Sequence, residues 1–293
     1  MSFSDNEENG TSVKTEAMYS QIIESIFFRT WKKGMKEFEF GREEILETAK
    51  GLFADGLTKR ERPKNEGDVI YTFRHRKDLP ESIRKTEPAD RSWIILGAGD
   101  AKYRFRLNKL TRITPSRGLL VRKIPDATPQ IILRNSLSDE QALLAKMRYN
   151  RLIDIFLGIT AYSLQNHLRT KIPNYGQIEI DELYVGVDKS GVQYVVPVQA
   201  KGAGKNDNLG AIQTIQDVVY CTTARKKNDF THLKCRAVSA KLMRDGRDEI
   251  IAMSELDFDG DEVILQKEAH YRLVDASKIE AADLEAYASH PSE

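Results

Sequence analysis

Gln177-Ile178-Glu179-Ile180-Asp181-Glu182-Leu183-Tyr184-Val185-Gly186-Val187, then Asp188-Lys189-Ser190-Gly191, then Val192 through Pro197-Val198-Gln199-Ala200-Lys201, read together as one β-hairpin. A type I turn with Gly191 in the left-handed conformation closes a three-residue loop and pairs Asp188 with Val192. Asp181 then lies opposite Gln199, and Glu179 opposite Lys201. Opposed residues in a sheet share a face, and so do residues two apart on a strand, so these four side chains converge on one patch. Glu182 points the other way. Carboxylate and amide oxygens suit Mg²⁺, and a nearby ammonium steadies a developing anion, so the patch has the parts needed to hydrolyse a phosphodiester.

Alternating acids and lysines also occur on any half-solvated hairpin, and Asp-Lys-Ser-Gly is an ordinary turn. The strand from Val192 to Val198, however, is apolar on both faces apart from Gln193. A buried central strand that ends in Lys201 calls for a reason.

This hairpin resembles the PD-(D/E)xK nuclease superfamily, the fold of many restriction endonucleases and Holliday-junction resolvases. Asp181 falls at that family's aspartate position, and Glu179-Ile180-Asp181 looks like the Glu-Ile-Asp of some resolvase-like members. Gln199-Ala200-Lys201 matches the third motif in the Gln-x-Lys form seen in Mrr-type restriction enzymes. The departure is Gln199, where most members carry an acid, which leaves Glu179 or Glu182 to make up the charge. The match covers about residues 177 to 217. It implies an α-β-β-β-α-β core in which Asp181, Gln199 and Glu179 hold Mg²⁺, with Glu182 the alternative to Glu179. Lys201 would orient or activate the attacking water, and the products would carry 5′-phosphate and 3′-hydroxyl ends.

Around the hairpin, Ser138-Asp139-Glu140-Gln141 is a capping box opening a helical stretch, with Tyr149, Leu152, Ile153 and Phe156 on its buried face. This helix is expected to bend or break at Gly158 and to end at Ile172. Gln165 or His167 on it could approach the site, though His167 reads first as a structural histidine. After the loop from Gly202, a helix over about 209–221 carries an apolar stripe of Ile212, Ile215 and Val219. Its polar stripe, Gln213, Gln216, Asp217 and Tyr220, is either a solvated face or a cover for the site. A strand is expected over about 233–240, further strand pieces at 263–265 and 271–274, and a short helix near 281–287.

The 293 residues are enough for two domains. Net charge is +1, but it is unevenly spread. Residues 59–134 hold 19 Lys and Arg against 9 Asp and Glu, a net of +10, while from Lys241 onward there are 6 basic and 14 acidic residues, a net of −8. Such asymmetry suggests a basic module for a polyanion joined to a part that is not. Helical periodicity is clear from Tyr19 to Phe27 and from Ile45 to Phe53. A third helix is expected from Pro63 to about 76, presenting Lys64, Asn65, Arg74 and His75. A hairpin follows, in which Lys102, Arg104 and Arg106 alternate with Tyr103, Phe105 and Leu107.

Three helices and a basic hairpin look like a winged helix-turn-helix, with Lys64, Asn65 and Arg74 reading a groove and Arg104 and Arg106 gripping phosphates. The fold class is therefore α/β (α+β). A disordered tail spans 1–15, a winged-helix-like DNA-binding domain 16–124, a linker 125–137 and a nuclease domain 138–293.

Cys221 and Cys235 are too few for a zinc module, the five histidines have no metal-binding spacing, and no membrane-length apolar stretch or signal peptide is present. The expectation is a cytoplasmic, Mg²⁺-dependent endonuclease of double-stranded DNA, most simply a homodimeric type II restriction enzyme paired with a DNA methyltransferase. Two alternatives stay open. One is a non-enzymatic winged-helix regulator with an inactive nuclease-like domain, and the other is a nuclease acting on branched DNA or RNA.

Overall fold

The computed structural model describes residues 4–52, 66–135, 139–173, 175–204, 209–246 and 248–289. The chain is mixed α/β and divides into two units, Met1–Thr111 with Pro173–Gly176, and Arg112–Ile172 with Gln177–Glu293.

The first unit runs α1 (Ser4–Thr30), β1 (Glu37–Gly41), α2 (Arg42–Leu52), α3 (Glu66–Tyr71), a π-helical turn at Thr72–Arg76, α4 (Glu81–Arg84), β2 (Ser92–Gly99) and β3 (Lys102–Asn108). Its three strands form an antiparallel sheet in the order β1-β3-β2. Ile22, Ile23, Ile26 and Phe27 of α1 are fully buried with Ile45, Val69, Ile83, Ile95 and Phe105. The helical spacing of the α1 residues and the alternation along β3 create these apolar faces. Residues 4–15, expected to lack structure, belong to α1.

The second unit continues with β4 (Arg112–Ile113), β5 (Val121–Pro125), α5 (Gln130–Asn135), α6 (Asp139–Tyr149), α7 (Leu152–Leu157), β6 (Thr160–Ile172), β7 (Gly176–Val187) and β8 (Gln193–Lys201). It ends with β9 (Leu209–Gly210), α8 (Ala211–Thr222), β10 (Lys234–Cys235), β11 (Ala237–Asp245), β12 (Asp248–Phe258), β13 (Val263–Val274) and α9 (Ala281–Ser289). The main sheet has the order β5-β13-β12-β11-β8-β7-β6. β7 and β8 are antiparallel, and β8 and β11 are parallel, joined by α8. Val196, Val198 and Ala200 pack with Leu143, Met147, Ile153 and Phe156 of α6 and α7.

Several expected boundaries change. The helix does not run on to Ile172. Arg151 and Gly158 both take positive φ, 51° and 67°, so α6 and α7 are separate, and Gly158 ends α7 by donating its N–H to Asp154 O at 2.8 Å. Residues 160–172 are strand β6. Leu164, Leu168 and Ile172 recur every four residues, a spacing that a helix and a strand can each place on one face, so it does not separate the two. β12 has no counterpart among the sequence expectations, and 263–274 is one strand rather than two pieces. The expected linker is not a linker. β5 pairs in parallel with β13, from Val121 opposite His270 to Pro125 opposite Val274, and the first unit's main segment ends at Thr111 rather than at 124.

Candidate metal and catalytic site

The hairpin adopts the expected register. Glu182↔Val198 through Val187↔Gln193 are paired, Asp188 N–H donates to Val192 O at 3.0 Å, and Gly191, at φ +84°, donates to Asp188 O at 3.0 Å. The turn is set by Asp188. Its Oδ1 accepts from Ser190 N, Ser190 Oγ and Val192 N, and its Oδ2 from Tyr194 Oη. The Ser190 hydroxyl bond comes first among the causes that lower this carboxyl to about 2.

Beyond Glu182 the two strands are joined by side chains. Ala200 N–H donates to Asp181 Oδ2 at 2.8 Å, and Gln199 Nε2 donates to Glu179 O at 2.9 Å. Gln199 also reaches α8, where its Nε2 donates to Asp217 Oδ1 at 3.0 Å. Lys201 Nζ is held 2.8 Å from Glu140 Oε1 of α6.

Ligand atoms of His167, Glu179 and Asp181 lie within 4.8 Å of one another. His167 Nδ1 is 3.5 Å from Glu179 Oε1, and its Nε2 is 2.7 Å from Gln141 Nε2. Arg169 also pairs with Glu179, at 3.1 Å. Burial raises the Asp181 carboxyl above the ordinary aspartate range. The Ala200 N–H and Lys201 pull it down, and Glu140 and Glu179 add to the rise. Asp217, wholly enclosed, is raised well above that range, chiefly by burial. The two carboxylates and the imidazole form a group that could hold a metal ion.

Asp181, Gln199 and Lys201 are thus brought together with Glu179, while Glu182 is not. Its side chain is fully buried on the opposite face, accepting from Arg148 Nε at 2.9 Å and from Ser163 Oγ at 2.6 Å. Residues one apart on a strand face opposite sides, so Glu182 is removed as the alternative to Glu179. Three neighbours fell outside the expected site. His167 was weighed but read as a structural histidine on a helix, and Glu140 was read only as part of a capping box. Asp217 stood in the polar stripe of α8, whose burial only packing reveals.

In the first unit Lys64 and Asn65 lie outside the described residues. Arg74 does not reach outward as a base reader should. Its Nε and one terminal nitrogen are shielded from solvent without a hydrogen bond, and burial lowers its pKa to about 10. Arg104 pairs with Glu39 at 2.6 Å and with Glu37 at 3.7 Å. Arg106 stands opposite Glu37 in the register. The basic face of β3 is therefore matched by the acidic face of β1, rather than standing free for phosphate. The alternation on β3 was legible, but its cross-strand partner was not.

Comparison with protein-family models, with curated proteins and with solved structures finds no match.

Proposed function

We propose that the chain is a metal-dependent endonuclease of double-stranded DNA with a PD-(D/E)xK-like core. The observation that carries this reading is the meeting of Asp181, Gln199 and Lys201 at one end of β7 and β8, beside Glu179 and His167. The strand order β6-β7-β8-β11, with β8 and β11 parallel and α8 between them in sequence, supports it. That arrangement agrees with the α-β-β-β-α-β core expected from the motif.

Asp181, Glu179 and Gln199, joined by His167, would hold Mg²⁺ or Mn²⁺. When bound, such an ion supplies Lewis-acid polarisation of a phosphoryl oxygen and charge neutralisation. Asp181 is oriented for this by Ala200 N–H, which occupies Oδ2 and leaves Oδ1 for the ion. Lys201 places an ammonium at the same strand end, where it stabilises negative charge developing on the scissile phosphate. Glu140 fixes that ammonium through its 2.8 Å ion pair.

The first unit supports a DNA-binding role through its element order, α1-β1-α2-α3-α4-β2-β3 with a π-helical turn after α3, and its sheet order β1-β3-β2, which suit an elaborated winged helix-turn-helix. A homodimer cutting both strands is the simplest assembly for one site per chain. Purified protein incubated with unmethylated plasmid and Mg²⁺ or Mn²⁺, followed by sequencing of the ends, tests the reading. Cleavage by wild type and none by Lys201→Ala is the expected result. Intact DNA with both metals would favour the regulator.

A further inference from the structure

The site carries a carboxylate that the catalytic reading does not use. Asp217 sits on α8 at 1 % exposure, and Gln199 beside it at 2 %. Among the described residues no Lys, Arg or His pairs with Asp217. A buried carboxylate without a cation is unfavourable, so its presence needs a compensating role.

Gln199 supplies that role. A primary amide nitrogen has two hydrogens, and Gln199 Nε2 directs them to Glu179 O at 2.9 Å and Asp217 Oδ1 at 3.0 Å. A main-chain carbonyl oxygen can only accept, so the nitrogen end of the amide must face it. The orientation is then decided chemically, and Oε1 is left without a hydrogen bond among the described residues. An oxygen held this way is preorganised to ligate a cation, whereas a freely rotating amide would offer nitrogen half of the time.

We propose that Asp217 is a positioning residue that locks Gln199 with its carbonyl oxygen towards the metal. The inference rests on the metal-dependent reading above. It makes Gln199 and Asp217 a single unit, in which one carboxylate and one amide must be present together.

The test is Mn²⁺ binding to the full chain by calorimetry without DNA, with plasmid cleavage measured in parallel. Loss of an outer partner of a metal ligand typically weakens binding about 10–100-fold, and Asp217→Leu should fall in that range. Asp217→Asn keeps an acceptor for the amide and should stay within about fivefold of wild type, on the same scale. In a Gln199→Ala background, Asp217→Leu should change affinity no further, because there is no amide left to orient.

Gln199→Glu alone should weaken binding, since the introduced carboxylate would face Glu179 O and Asp217 without a donor. Adding Asp217→Asn should restore it by providing that donor. This pair decides the matter if Asp217→Leu does not fold. Additive effects of the two positions, or Gln199→Glu binding as well alone as with Asp217→Asn, would overturn the inference. A wild type that shows these couplings yet leaves DNA intact sinks the nuclease reading and spares this one. A wild type that cuts DNA without the couplings does the reverse.

Discussion

Asp181 Oδ2 accepts the backbone N–H of Ala200 at 2.8 Å, so the side chain of one strand takes the place of a ladder bond to the next. The paired register of the backbone runs from Val187↔Gln193 to Glu182↔Val198, and the candidate site residues follow directly after it. This use of a side chain keeps a buried-strand donor satisfied while turning the carboxylate's other oxygen to the site.

That geometry has a pH consequence. Burial raises Asp181 above its ordinary 3.8, so the unfolded chain releases this proton at lower pH than the folded chain does. Its contribution to stability is complete below 3.8 and is lost as pH rises through the raised value. Asp181→Asn should therefore melt higher than wild type at neutral pH without metal, with the gap closing as pH falls towards 3.8. Mn²⁺ should raise the wild-type melting temperature and leave the variant unchanged. Thermal melts over pH, with and without the ion, check both signs.

Glu140 and Lys201 form the ion pair that sets the ammonium in place. Glu140→Gln should lower the cleavage rate by about tenfold or more, within the range that a misplaced catalytic group costs, with specific DNA affinity unchanged. Single-turnover cleavage and anisotropy titrations separate the two. Unchanged cleavage would show that Lys201 needs no such holder.

Glu182 belongs to the fold. Glu182→Ala strips Arg148 and Ser163 of their shared acceptor and should cost about 1–3 kcal/mol of stability, as for other hydrogen bonds to a charged group. Mn²⁺ affinity of the folded variant should match wild type. A calorimetric loss of metal binding with normal denaturant stability would contradict its placement.

Arg104 already has Glu39 and Glu37 as partners. Arg104→Ala should lower the salt slope of DNA binding by clearly less than the ~0.9 expected for each lost phosphate contact. Anisotropy at several salt concentrations measures the slope. A drop of a full unit would restore β3 as a phosphate-gripping strand.

Gly186 packs against the start of β6. A Cβ there would come within 2.8 Å of Ile159 Cδ1 and 2.9 Å of Thr160 O. Gly186→Ala should destabilise the second unit by about 1–3 kcal/mol, the usual cost of overpacking, as read by urea unfolding.

The hairpin was legible because its information is local. Asp188, Gly191 and the alternation from Glu179 to Lys201 specify turn, register and shared face within 23 residues. The apolar faces of α1 and β3 were legible for the same reason. Tertiary structure alone decided the rest. The four-residue recurrence of Leu164, Leu168 and Ile172 satisfies helix and strand alike, and it takes the sheet edge beside β7 to make 160–172 a strand. The strand alternation already turned Glu182 away from Glu179, but only packing showed that Arg148 and Ser163 hold Glu182 on that opposite face. Arg104 read as free until β1, 65 residues away in sequence, brought Glu39 against it. Asp217 became more than one member of a polar stripe only when α8 packed it onto Gln199. Local patterns determine which face a side chain occupies, but what it meets there depends on contacts between distant segments, and those form only when the chain folds.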